Sequence, residues 1–109
     1  VLEPLEADTA HLSKMTLSML DLSGADLSKA NLTGADLTRV RFRGANLSGA
    51  ILLGADLSFG ADLSYANIAG ADFRSANLSD AVLVGATGAA VFTGAILKGA
   101  TMQDGSRHA

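Results

Sequence analysis

Five aspartates punctuate the middle of the chain: Asp26, Asp36, Asp56, Asp62 and Asp72. Carboxylates brought close together can share a proton or hold a hard cation. Asparagine, however, takes the equivalent place at Asn31, Asn46, Asn67 and Asn77. A position that accepts the neutral amide is using the oxygen that both side chains carry, and that oxygen can take a hydrogen bond from nearby backbone N–H. Arg39-Val40-Arg41-Phe42-Arg43 is the one basic cluster, with an aromatic inside it, and guanidiniums so placed can contact phosphate. His11 and His108 stand at opposite ends without partners for a metal site or a triad. Ser23, Ser28, Ser48, Ser58, Ser64 and Ser79 have no base in a fixed relation to them and are not candidate nucleophiles. The glycines do not form a phosphate loop, because they recur by fives and no helix follows. The expectation is no catalytic residue, no metal ligand and no cofactor.

What positions all of these residues is a period of five. Ala, then Asp or Asn, then Leu returns in Ala25-Asp26-Leu27, Ala30-Asn31-Leu32 and Ala35-Asp36-Leu37. Neither a helix, at about 100° per residue, nor a strand, alternating every second residue, keeps leucines five apart on one side. The frame runs from Ala10 to Phe59 on the centres Leu12, Leu17, Leu22, Leu27, Leu32, Leu37, Phe42, Leu47, Leu52 and Leu57. Gly60 is one extra residue, after which Leu63, Ile68, Phe73, Leu78 and Leu83 resume the count. At Ala86-Thr87-Gly88-Ala89 a centre is missing and the unit is one residue short; Phe92, Leu97 and Met102 then continue. An insertion followed by a compensating deletion suits a stacked coil, which can bulge at one corner while its neighbours stay in register. Large centres and the alanines two before them can share a narrow interior, while glycine at the fifth position suits a turn at positive φ. The expected core is the set of centres from Leu22 to Leu83 together with Phe92 and Leu97.

Units such as Ala25-Asp26-Leu27-Ser28-Lys29, Ala45-Asn46-Leu47-Ser48-Gly49 and Ala71-Asp72-Phe73-Arg74-Ser75 resemble those of the pentapeptide-repeat family, A(D/N)LXX. The resemblance covers about nine-tenths of the chain and implies an all-β fold: a right-handed, four-sided β-helix with four units per coil. On that count the solenoid has four to five coils. It would occupy residues 10–104, between an N-terminal cap segment at 1–9 and a flexible tail at 105–109. Pro4 could start a short helix there, while Leu5 and Ala7 could instead be forced into the frame. A twenty-residue coil stacks Phe73 under Phe92 and Asp36 under Asp56, and sets Arg41 between Asp21 and Asp62 in a charge ladder. A three-sided coil would set Arg41 between Asp26 and Asp56, so the charges alone leave three or four sides open.

A length of 109 residues is one domain at most, a net charge of -3 carries no nucleic-acid footprint, and no cysteine is present to form a disulfide. No run of residues is apolar enough for a membrane helix, and a soluble, cytoplasmic protein is the expectation, with export or a lumenal location left open. The chain begins at Val1 with no signal segment, consistent with a mature form or a part of a longer protein. Two departures mark a candidate interaction surface. Val82, Val84, Val91 and Ile96 are apolar where earlier units are polar, so that two rods could pair through their C-terminal coils as a homodimer, or else these are β-branched ladders. Phe59 and Tyr65 flank the extra Gly60, where they either project as contacts or, for Phe59, cover the bulge. The functional expectation is a non-enzymatic scaffold or protein-interaction module whose partner is unknown. The alternatives are DNA mimicry, which some members of the resembling family use against type II topoisomerases to protect against quinolones, and a targeting segment of a larger effector.

Overall fold

The structure, a computed structural model, describes residues 11–109. The expected cap segment 1–9, with Pro4, Leu5 and Ala7, lies outside the described residues. Each five-residue unit is a short extended wall and a corner. In the unit that begins at Ala25, Asp26 is the bridging residue and points out, while Ala25 and Leu27 on either side of it turn inward and are buried. The N–H of Ala30 then donates to the carbonyl of Leu27 at 3.0 Å. This closes a four-residue turn whose third residue, Lys29, has φ 61°. Positive φ at that place alone is the type II arrangement, which glycine adopts without steric cost. Gly24, Gly34, Gly54 and Gly94 serve other corners in this way.

Parallel bridges join each wall to the wall one coil later and define four ladders. The first face carries His11, Asn31, Ile51, Asp72 and Val91; the second carries Thr16, Asp36, Asp56, Asn77 and Ile96. The third carries Asp21, Arg41, Asp62, Val82 and Thr101, and the fourth carries Asp26, Asn46, Asn67 and Thr87. Four faces, not three, follow from a register of twenty residues, as in Asp36↔Asp56. Gly60 lengthens it to twenty-one, as in Arg41↔Asp62, and the short unit at 86–89 brings it to nineteen, as in Asp72↔Val91. The short unit closes because Gly88, at φ 90°, has no side chain: a Cβ there would sit 2.6 Å from the Cα and Cβ of Ala69 on the coil below. Gln103 covers the gap, its Nε2 donating to the carbonyls of Ala86 and Gly88 at 2.9 Å each.

The bore is one continuous apolar column. Leu27, Leu47, Ile68 and Leu78 are wholly buried, as are Ala30, Ala50 and Ala71 beside them. The large centres alternate with alanine because opposite walls meet across a narrow interior at close-packed density. Phe73 and Phe92 stack with ring centroids 5.3 Å apart and planes at 11°. Phe92 and Leu97 depart from the expected core, being only half-buried, because no coil lies above them.

The tail also differs from the expectation of a frayed end at 105–109. It turns back, Arg107 pairing antiparallel with Thr101. Met102 N–H donates to Ser106 at 2.7 Å, His108 N–H to Ala100 at 2.7 Å, and Gly99 N–H to His108 at 2.9 Å. The last rung of the third face is therefore covered. On the first and second faces the N–H groups of Phe92 and Leu97, which lower down would pair with the next coil, have no backbone acceptor among the described residues.

Candidate interaction face

The wall acids are occupied. Oδ1 of Asp21, Asp26, Asn31, Asp36, Asn46 and Asp56 accepts the backbone N–H two residues on at 3.0–3.1 Å, bracing the corner. Asp62, Asn67, Asp72 and Asn77 do the same at 2.9–3.1 Å. The shared oxygen is what the position uses, which explains why Asp and Asn interchange. The hydroxyl of Ser28 donates to Asp26 at 2.7 Å, and with the Ser28 amide it holds that carboxyl below its ordinary range. Ser23 does so for Asp21 and Ser106 for Asp104. Asp72 is held down chiefly by Arg74, whose guanidinium donates to both carboxylate oxygens at 2.8–3.0 Å. Among the described residues no three His, Asp or Glu side chains are grouped to hold a metal ion.

The third face is different. Arg39, Arg41 and Arg43 lie across it in one coil, Arg41 on the wall and the other two at its corners. Phe59 stands above Arg39, whose guanidinium carbon is 5.2 Å from the ring centroid; Tyr65 stands above Arg43, at 4.9 Å. The two rings are 67% and 57% exposed, so Phe59 projects from the bulge instead of sealing it. The Tyr65 ring also lies against Gly85, where a Cβ would come within 2.5 Å of two ring carbons. Arg41 reaches Asp21 only at 3.8 Å and Arg43 reaches Asp62 only at 3.9 Å, with the arginine side chains 60% and 58% exposed. The Asp21–Arg41–Asp62 order foreseen in the sequence is present as a ladder, yet its charges touch loosely. Val82 lies above Asp62 and Val84 beside the corner; both are half-buried.

The corner between the second and third faces has a further peculiarity. Eight residues other than glycine adopt positive φ, and four of them, Met19, Arg39, Phe59 and Asp80, stand in this one column. Left-handed backbone costs an L-residue about 1 kcal/mol or more relative to glycine. Val91 and Ile96, grouped with Val82 and Val84 in the sequence, fall elsewhere: they are 45% and 51% exposed on the last rungs of the first and second faces. The sequence accounts for Arg41 by a charge ladder, and the signal that singles out the arginines is geometric, since only the fold shows that their side-chain donors are left free.

A four-faced parallel solenoid of five-residue units, with an aromatic and arginine-bearing wall, defines a class of repeat protein. Residues 10–44, 25–58, 41–80 and 59–87 match the family model of pentapeptide repeats, and the chain belongs to that family. It is similar to a pentapeptide repeat protein of the Arabidopsis thaliana thylakoid lumen, at 31% identity over 91% of this chain and 69% of that one, with a TM-score of 0.59. A pentapeptide repeat protein from Nostoc Pcc 7120 gives 35% identity over 84% of this chain and 64% of that one, with a TM-score of 0.62. The chain thus spans about two thirds of the length of these solved structures. QnrB1, a plasmid-mediated fluoroquinolone resistance protein, matches at 20% identity over 86% of this chain and 70% of that one, with a TM-score of 0.30. That likeness is too slight to bear on function. No curated protein matches the chain. No helix among the described residues is long and apolar enough to cross a membrane.

Proposed function

We propose that this chain is a non-enzymatic interaction module, a stiff coil that holds its third face out to a protein partner. The observation that carries this reading is where uncommitted groups remain. Wall acids are spent on their own corners, whereas three guanidiniums and two rings on one face stay largely open to solvent. Aromatic and arginine side chains are the residues that most often anchor protein interfaces. A right-handed coil of four to five turns is part of this reading, supported by the twenty-residue register and by family membership. So is a homodimer through the C-terminal end, supported by the open rungs at Val91 and Ile96 and the half-buried Phe92 and Leu97 beneath.

The test is retention of proteins from the native host on the immobilised chain, compared with a Phe59→Ser, Tyr65→Ser variant. One protein held by the parent and lost by the variant is expected. Retention of none, or retention indifferent to the variant, would overturn the reading. Duplex mimicry is the second reading, favoured by the stacked Asp36 and Asp56 on the second face and opposed by the arginines on the adjoining one. Inhibition of gyrase supercoiling at stoichiometric protein would reverse this order.

A further inference from the structure

We infer that the third face takes an extended acidic segment of its partner, with its carboxylates seated on Arg39, Arg41 and Arg43. This rests on the interaction-module reading and names the chemistry that the face selects. Three of the eight basic residues stand within five positions, in a chain whose net charge is -3. Their side-chain donors are free: among the described residues none of the three guanidiniums donates a hydrogen bond, and the two nearby carboxylates stand at 3.8 and 3.9 Å. Arg74 shows what a satisfied arginine looks like on this surface, with paired bonds of 2.8–3.0 Å to Asp72. Contact with the Phe59 and Tyr65 rings restrains the guanidiniums of Arg39 and Arg43, which lowers the entropy lost when a carboxylate docks on the fork.

Arrangement and ring geometry choose among anions. Arg39 and Arg43 stand at the two corners that bound the wall of Arg41, so the three guanidiniums form one row across the face that an extended acidic segment can follow. A single-stranded nucleic acid would instead need ring faces for its bases. The Tyr65 ring is already engaged, with the Arg43 guanidinium over it and Gly85 against its Cδ1–Cε1 edge. The wall therefore offers charge in a line, with the ring at that corner already held by its neighbours. Val82 and Val84, half-buried above the rings, give the segment's flanking apolar residues a surface to lie on.

The probe is a fluorescent ten-residue peptide of alternating Glu and Ser, titrated into the full chain by anisotropy, with the Gln–Ser peptide and a fifteen-base thymidine oligonucleotide beside it. Binding of the Glu peptide alone is expected, weakening as sodium chloride rises from about 50 to 500 mM. Arg39→Gln, Arg41→Gln and Arg43→Gln together should weaken it about tenfold. Lys14→Gln with Lys29→Gln, on other corners, should change it less than twofold. An unaltered thermal melt of each variant separates lost binding from lost folding, and Arg→Lys at the three positions should restore part of the affinity. No binding of the Glu peptide, equal loss in the lysine variant, or tighter binding of the oligonucleotide through the same arginines would overturn the inference. If a host protein is retained and its retention ignores the three arginines, the inference falls while the module reading stands; peptide binding with no host protein retained does the reverse.

Discussion

Replacing glycine by alanine at two corners separates backbone strain from the contact that supports the third face. Gly54 has φ 66° with nothing within 4 Å of an added Cβ. Gly85 has φ 72°, and its added Cβ would meet two Tyr65 ring carbons at 2.5 Å. Gly54→Ala therefore carries only the left-handed penalty of about 1–2 kcal/mol, reduced by about 0.4–1 kcal/mol because alanine restricts the unfolded chain. The net cost is about 0.5–1 kcal/mol. Gly85→Ala carries the same cost and also displaces the ring from the Arg43 guanidinium, a contact worth about 0.5–1 kcal/mol at an exposed site. It should lose about 1 kcal/mol more than Gly54→Ala, or about 4 °C in melting midpoint for a chain of this size. In a Tyr65→Ala background the excess should vanish, giving a coupling of about 1 kcal/mol in the double-mutant cycle. Urea unfolding followed by circular dichroism supplies the energies. Tyr65 is the one tyrosine in a chain without tryptophan, so its emission reports ring displacement directly. Equal losses at Gly54 and Gly85, or an excess that persists without Tyr65, would refute the assignment of the ring to this corner.

Leu47→Asp places a charge in the bore, where Leu47 is fully buried, and should abolish cooperative folding of the whole coil; a loss of structure confined to one coil, read by hydrogen exchange, would argue against a continuous core. The carboxyls of Asp21, Asp26, Asp72 and Asp104 sit below their ordinary value, so the stability they contribute is complete above the unfolded carboxyl value near about 3.9 and drains away as pH falls through their lower folded values. The melting midpoint should stay level from about pH 7 to 5 and fall below about pH 4; a midpoint that rises on acidification would contradict this. Val91→Glu with Ile96→Glu should convert a dimer to monomers in sedimentation, because both side chains border open rungs; a monomeric parent, or a variant that stays dimeric, would reject that end as the contact.

Features that add along the chain were legible in the sequence. Ala25, Leu27 and their repeats announce an interior because every unit restates it, and Gly60 shows as a slip because the count before and after is regular. Register then decides what the charges could not: Asp36 pairs with Asp56 and Arg41 with Asp62, so the coil has four faces. Features that depend on one distance were not legible. The return of residues 103–108 onto Thr101 and Ala100 is closed by backbone bonds; Asp104-Gly105-Ser106 signals the turn, with Asp104 accepting from the Ser106 amide and hydroxyl, but not which rung it covers. Gly88 reads as a missing centre until Ala69 is seen beneath it. Val82 and Ile96 look alike in sequence, yet one stands mid-wall and the other on an open rung.

The places where the chain abandons its own repeat indicate where something other than folding chose the residues. A sequence selected only for this coil would put glycine at every corner and Asp or Asn on every wall, since each choice is locally the more stable. The column of Met19, Arg39, Phe59 and Asp80 gives up the first preference four times, at about 1 kcal/mol each. Arg41 and Val82, on the adjoining wall, give up the second and leave the amides of Arg43 and Val84 without the side-chain acceptor that braces other corners. Two independent losses thus converge on the third face, and neither is recovered by packing, because Phe59, Tyr65 and the arginines stay exposed. Ile51, Val91 and Ile96 break the wall preference as well, toward apolar residues; Ile51 lies mid-wall on the first face, while Val91 and Ile96 lie on uncovered rungs, where the need is to bury a strand edge. The departures on the third face and on the open rungs correspond to two kinds of contact in the proposed module: sideways through charge and aromatic rings to a different chain, and along the axis through an apolar end to a second copy of the same one.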